Sequence, residues 1–251
     1  MIRTHRVRAF HFGTHQHGQS FVEMAIILPI LLLVLLGVVE VALYIARYMD
    51  ILDLTREAAR FASVRDPFEI RPADASNPLW DQDCSTPGRF DFYYDTACLF
   101  SPPAGSPTCT SSTFCNGFNR FAPLNPATDD ILISVYTVTN NQVSNVWPST
   151  GYWVFSDHDS DVDHNGNWTR NCDGSPSEAG PYYSVDRVNA HLSQTSGALP
   201  NKGFVAVEYF YCHEQALNLP MFTLFVSNPV KIHAYSLMPL PAAQPTATPI
   251  P

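Results

Sequence analysis

The chain has 251 residues, 45% of them hydrophobic, and a net charge of −9. That length suits one or two domains with a real core. Arg3, Arg6 and Arg8 are the only charged residues in the first 18 positions, so the rest of the chain carries a net charge of −12. An acidic body without a stripe of basic and aromatic residues repels phosphate backbones, which argues against nucleic acid as a partner.

Residues 21–46 form a long apolar run, FVEMAIILPILLLVLLGVVEVALYIA. As a helix, these residues would extend about 39 Å, whereas the hydrocarbon layer of a bilayer is about 30 Å thick. A cleaved secretory signal has an apolar region of only about 7 to 15 residues, followed by a small-residue cleavage site. We therefore expect a retained, single-pass transmembrane helix in the cell membrane, with membrane lipid as a partner.

Two carboxylates, Glu23 and Glu40, interrupt this apolar run. An ionisable group at the centre of a membrane helix costs roughly 2.5 to 3.5 kcal/mol and usually has a partner or a function. Considered singly, Glu23 is interpreted as an interfacial residue that touches lipid headgroups. By the same reasoning, Glu40 is expected near the outer face, with its side chain extending toward water. Glu23 and Glu40 are also the two candidates for a role in helix assembly.

The helix is predicted to continue beyond the membrane and to cover residues 19–65. Asp66-Pro67 should end it, because proline disfavours helical geometry in the residue before it. Apolar residues in this outer part recur with a period near 3.6, and charged residues occupy the other face. The apolar positions are Ile51, Leu54, Ala58, Phe61 and Ala62.

All six cysteines follow the apolar run, which indicates disulfides formed in an oxidising compartment. Basic residues flank the helix on both sides, so the positive-inside rule is neutral. We therefore expect a cytoplasmic N-terminus and an extracytoplasmic body. Six cysteines allow fifteen pairings, of which Cys109–Cys115 and Cys172–Cys212 are the expected pairs; no CxxC pair supports a metal site instead. The cysteines are Cys84, Cys98, Cys109, Cys115, Cys172 and Cys212.

Residues 66–238 are predicted to form an α+β head. Its first part, 66–128, is rich in Pro, Ser, Asp and Cys without periodicity, so we expect a disulfide-stapled loop region. Four β-branched and aromatic runs follow, ILISVYTV, GYWVFS, FVAVEYFY and VKIHAYSL. They predict an antiparallel sheet packed on the long helix. The Pro-rich tail 239–251 is expected to be polyproline-like and disordered.

One loop of the head resembles half of a calcium site. Asp161, Asp163 and Asn165 stand at loop positions 1, 3 and 5, and Gly166 follows at position 6, as in an EF-hand. Cys172 replaces the glutamate expected at position 12, so other oxygens would have to complete a structural calcium site. The candidates for that role are Asp157, Asp159, Asp173 and Glu178. The alternative is an acidic, solvated turn.

The sequence contains no recognisable set of catalytic residues, since it has no G-x-S-x-G, H-E-x-x-H or P-loop motif. The segment 173–177, DGSPS, fits a D-x-S-x-S metal motif, but chance is the better explanation, because no buried apolar strand precedes it. We therefore expect a protein that is not an enzyme.

A set of short motifs lies between residues 18 and 65. A basic leader, 1–18, ends in Gly18, and a glutamate follows five residues later at the start of an apolar helix. The later motifs are Val22-Glu23, Leu28-Pro29, Gly37-Val38-Val39-Glu40 and Ala58-Ala59-Arg60. Together these motifs resemble the TadE-like proteins of tight adherence (Flp-type) pilus systems.

The resemblance implies a prepilin-type signal, cut by a prepilin peptidase between Gly18 and Gln19. It also implies that Glu23 neutralises the new α-amino group of a neighbouring subunit, so other pilins or pilus-assembly proteins are the expected partners. The leading interpretation is a structural, pilin-like minor component. The alternatives are a membrane-anchored extracellular binding module with a structural calcium loop, and a secreted hydrolase.

Overall fold

The computed structural model describes residues 19–67, 92–103, 122–148, 151–157, 169–177, 180–194, 202–218, 223 and 226–240. The chain divides into two compact units, residues 1–42 and residues 43–251.

The first element, α1 (Gln19–Ser63), is one continuous helix of 45 residues with Pro29 inside it. Its length confirms that the helix continues well past the apolar run. It ends three residues before Asp66, close to the predicted end.

The outer part of α1, residues 43–63, is amphipathic. Ile51, Ala58 and Ala62 are fully buried, as the apolar period predicts, while Leu54 and Phe61 are half-buried. Both alanines belong to the main cluster of buried residues in the head. The opposite face is exposed and has two ion pairs at 3.3 Å, Arg56–Asp53 and Arg60–Glu57.

The described residues of the second unit form a five-stranded antiparallel sheet and a separate hairpin. The strands are β1 (Asp130–Thr139), β2 (Gln142–Trp147), β3 (Trp153–Val154), β4 (Thr169–Arg170), β5 (Pro176–Ser177), β6 (Lys202–His213) and β7 (Val230–Leu240). In the sheet, β2, β1, β6 and β7 are neighbours in that order, and β3 pairs with β1 beyond the end of β2. Strands β4 and β5 form the hairpin.

Strand β1 lies in the middle of the core and alternates between its two faces. Ile131 and Ile133 belong to the cluster that includes the buried residues of α1, whereas Tyr136 belongs to a cluster on the other face. Asn140 and Asn141, both with positive φ (54° and 60°), join β1 to β2. A two-residue loop with positive φ at both positions matches the right-handed twist of a hairpin.

A short helix, α3 (Val185–Ser193), covers the second face of the sheet. Val188 and Leu192 are buried in a cluster with Tyr136, and Ser184 caps the helix by accepting a hydrogen bond from the Arg187 N–H. The outer part of α1, the sheet and α3 are therefore three layers, and the predicted α+β class is confirmed.

Part of the predicted loop region is helical. A helix, α2 (Phe92–Ala97), continues into a 3₁₀ turn, Cys98–Phe100. Phe92 and Phe100 enter the main core, and Asp95 forms an ion pair with Arg65. The expectation of loops throughout 66–128 was wrong here, because aromatic residues bury this segment although it is too short to show a period.

Candidate functional site

The inner part of α1 exposes apolar side chains on nearly every face. Phe21 is 77% exposed, Leu31 63% and Val38 61%. A helix that is apolar all round is stable only when lipid or other helices surround it. This helix is long and apolar enough to cross a membrane, which supports anchoring of the chain by its N-terminal segment.

The two carboxylates of this segment have different environments. Glu23 is exposed, whereas Glu40 is only 7% exposed. The interpretation of Glu40 as a side chain that reaches water therefore disagrees with the structure. Gly37 is also buried, and a spacing of three places it on the same face of the helix as Glu40.

The other motif residues lie at the two ends of α1. Gly18 lies outside the described residues, and Gln19 is the first residue of the helix. At the outer end, Ala58 and Ala59 are fully buried in the core of the head, and Arg60 is exposed and paired with Glu57. Both alanines therefore have a packing role.

The predicted disulfide Cys172–Cys212 is present, with Cα atoms 5.5 Å apart. It ties the β4–β5 hairpin to the end of β6. Cys98 is also disulfide-bonded. Cys84, Cys109 and Cys115 lie outside the described residues, so the expected pair Cys109–Cys115 stays a prediction.

The candidate calcium ligands Asp159, Asp161, Asp163, Asn165 and Glu178 lie outside the described residues. Asp157 ends the 3₁₀ turn Phe155–Asp157. Within the described ranges, no group of three His, Cys, Asp or Glu side chains could hold a metal ion. Calcium therefore stays a prediction.

The D-x-S-x-S segment, residues 173–177, forms the end of the turn in the β4–β5 hairpin and continues into β5. The Asp173 carboxylate accepts hydrogen bonds from the Ser175 N–H at 2.9 Å and the Ser175 hydroxyl at 2.5 Å. These bonds lower the pKa of Asp173. A local turn explains this motif without a metal.

A buried glutamate that the sequence pattern does not single out organises the second face of the sheet. Glu208, on the central strand β6, is fully buried. Its carboxylate accepts hydrogen bonds from the Tyr182 and Tyr183 N–H groups at 2.8 and 3.0 Å, and it contacts His233 Nε2 at 2.8 Å. Glu208 thereby fixes the segment before α3 to the sheet.

A second buried carboxylate, Asp129, lies beside the disulfide. It accepts hydrogen bonds from the N–H groups of Asn125 and Cys212, both at 2.9 Å. Burial raises its pKa to about 6, and these hydrogen bonds oppose the shift. Asp129 lies in the wall of a cavity of about 690 Å³.

The chain combines an N-terminal helix that is long and apolar enough to cross a membrane with an α+β head. Residues 18–60 match the sequence model of the family described as TadE-like protein, which confirms the resemblance in that segment. The match ends inside α1, so the sheet and α3 lie outside it. No curated protein and no solved structure matches the chain.

Proposed function

We propose that this chain is a pilin-like structural component of a tight adherence pilus assembly or secretion system. One observation carries the proposal: a single helix exposes apolar surface along its inner part and forms the core of the head along its outer part. The TadE-like match over residues 18–60 supports the assignment to such a system.

The proposed orientation is a cytoplasmic N-terminus and an extracytoplasmic head. The disulfide Cys172–Cys212 supports it, because stable disulfides form in oxidising compartments. The role is structural: the buried carboxylates Asp129 and Glu208 hold backbone N–H groups, and the D-x-S-x-S segment belongs to a hairpin.

Glu23 is proposed to take part in helix assembly. It is exposed near the start of α1, and pairing with a positive charge lowers the cost of a carboxylate in an apolar bundle. Cleavage between Gly18 and Gln19 would create an α-amino group at Gln19. In an assembly, that group of one subunit would lie close to Glu23 of its neighbour. Such a charge pair would set the register between packed helices.

The test compares Glu23→Ala with Glu57→Ala in cells that assemble the pilus. We expect Glu23→Ala to abolish recovery of the protein in pilus or assembly-complex fractions, while its abundance in the membrane is unchanged. Glu57→Ala removes an exposed carboxylate from the outer part of the same helix and should have no effect. Equal incorporation of Glu23→Ala and the unsubstituted protein would contradict the proposed pairing.

Mass spectrometry of the mature N-terminus tests processing separately. A chain that begins at Gln19 supports a processed pilin-like component. A chain that keeps the leader 1–18 favours a simple membrane-anchored module.

A further inference from the structure

The cavity beside Asp129 lies where α1 leaves its apolar run. Leu43 and Ala46 belong to the last turn of that run, and Arg47 follows directly; all three line the cavity. Its other walls come from the segment before β1, from the disulfide, and from the end of β6 and the residues after it. At about 690 Å³, it falls within the size range of small-molecule sites.

If the apolar run spans a bilayer, its last turn, which lines the cavity, lies among the headgroups. Tyr44 and Tyr48 flank Arg47 on the helix, and tyrosine is enriched at membrane–water interfaces. Tyr211 adds a third, half-buried tyrosine to the cavity wall.

Arg47 gives the cavity a group suited to phosphate. Its side chain is half-buried. Burial raises the pKa values of Tyr209 and Tyr211, and the positive charge of Arg47 opposes that shift. No carboxylate lies within ion-pair distance of Arg47 in the described part of the chain. A guanidinium group binds phosphate oxygens through two parallel hydrogen bonds.

Carboxylates give the cavity a second type of binding group. Asp50 and Glu214 line the cavity and are exposed, so both can reach a cation at its mouth. With the buried Asp129, these carboxylates outnumber Arg47 in the described lining. That lining is therefore net negative, which disfavours an anionic headgroup. A primary ammonium group donates hydrogen bonds to carboxylates, whereas a quaternary ammonium group has no N–H to donate.

From this mixture of charges at that depth, we propose that the cavity binds the phosphoethanolamine headgroup of a phospholipid. The phosphate binds Arg47, the ammonium group binds Asp50 and Glu214, and the acyl chains extend along the apolar surface of Leu43 and Ala46. The inference rests on the proposed membrane anchoring, and it adds a lipid-specific contact between head and bilayer.

The test is native mass spectrometry of the full-length protein released from three sets of nanodiscs, made of phosphatidylethanolamine, phosphatidylcholine or phosphatidylglycerol. We expect one retained lipid, with phosphatidylethanolamine retained at least about fivefold more often than the other two. Arg47→Gln should lower that retention about tenfold. Arg56→Gln, an exposed arginine on the same helix, should leave it unchanged.

A second pair of variants tests recognition of the ammonium group. Asp50→Asn combined with Glu214→Gln should abolish the preference for phosphatidylethanolamine over phosphatidylcholine. Asp53→Asn combined with Glu57→Gln, two exposed carboxylates outside the cavity, should preserve it. An unchanged melting temperature and an intact Cys172–Cys212 disulfide will establish that each variant is folded.

Equal retention of all three lipids, or an equal loss in Arg56→Gln, would overturn the proposal. Displacement of the lipid by excess inorganic phosphate would overturn it in favour of a site for free phosphate. Protein that enters nanodiscs but retains no lipid refutes the headgroup site while the anchor stands. Failure to enter nanodiscs at all refutes both.

Discussion

The inner and outer parts of α1 are one helix, yet they differ in what surrounds them. Residues 21–42 are mostly apolar, and most of their side chains are exposed. The outer part concentrates its small and apolar residues on one face, and the sheet buries that face. Both parts form the same helix, so helix formation does not explain the difference. The distribution of apolar side chains over the helix surface decides whether a segment packs on the head or on lipid and other helices.

Lysine substitutions in either part of α1 should change the protein most strongly. Leu31→Lys combined with Leu35→Lys should reduce membrane insertion, because each lysine costs roughly 2.5 to 3.5 kcal/mol near the bilayer centre. The head should keep its melting temperature. Ile51→Lys should instead lower the melting temperature of the head and leave membrane insertion unchanged, because a buried, unpaired cation is strongly destabilising.

Carbonate extraction measures insertion for these variants, and limited proteolysis measures folding of the head. Two results would contradict separate roles for the two parts of α1. They are unfolding of the head in the double lysine variant and release of Ile51→Lys from membranes.

A smaller effect is expected from Glu208→Ala, which changes the head alone. This substitution leaves two backbone N–H groups without their acceptor and removes the contact of Glu208 with His233 Nε2. We therefore expect a loss of roughly 3 to 5 kcal/mol in the free energy of unfolding. Chemical denaturation of the head in detergent will measure it. Glu57→Ala, which removes an exposed ion pair, should cost less than about 1 kcal/mol.

The smallest effect concerns pH and Asp129. Its pKa is about 6 in the folded head and 3.8 ordinarily, so the folded state binds the proton more tightly. The contribution of Asp129 to stability is therefore greatest at low pH and falls as the pH rises from about 4 to about 6, by less than about 3 kcal/mol.

Asp129→Asn should remove this part of the pH dependence. Denaturation of both proteins across that range should show the unsubstituted protein losing more stability than the variant as the pH rises. Parallel pH profiles would contradict a raised pKa for Asp129.

Much of the fold follows from local patterns. The long apolar run and the 3.6-residue period predict α1, and β-branched runs predict the regions of β1, β3, β6 and β7. The helix α3 also had a signal, since Ser184 precedes Val188 and Leu192 at helical spacing, but nine residues carry little periodicity.

The polar centre of the head could not be predicted in the same way. Glu208 stands in a strand where a charged residue ordinarily suggests an exposed position, and its partners come from other segments. The cavity likewise combines residues from distant parts of the chain, and only the fold brings Arg47 near Tyr211. The disulfide Cys172–Cys212 was a correct expectation, although sequence alone does not choose among fifteen pairings.

Reactivity of engineered cysteines measures whether the two parts of α1 lie in different environments. Val34 is 63% exposed and the Arg60 side chain 72% exposed in the structure, so without a membrane both positions would react. With the unsubstituted protein as background control, we expect a membrane-impermeant maleimide to label Arg60→Cys in intact cells and to leave Val34→Cys unlabelled until the protein is denatured. Labelling of Val34→Cys in intact cells, or protection of Arg60→Cys, would contradict a helix that is membrane-embedded in its inner part and extracytoplasmic in its outer part.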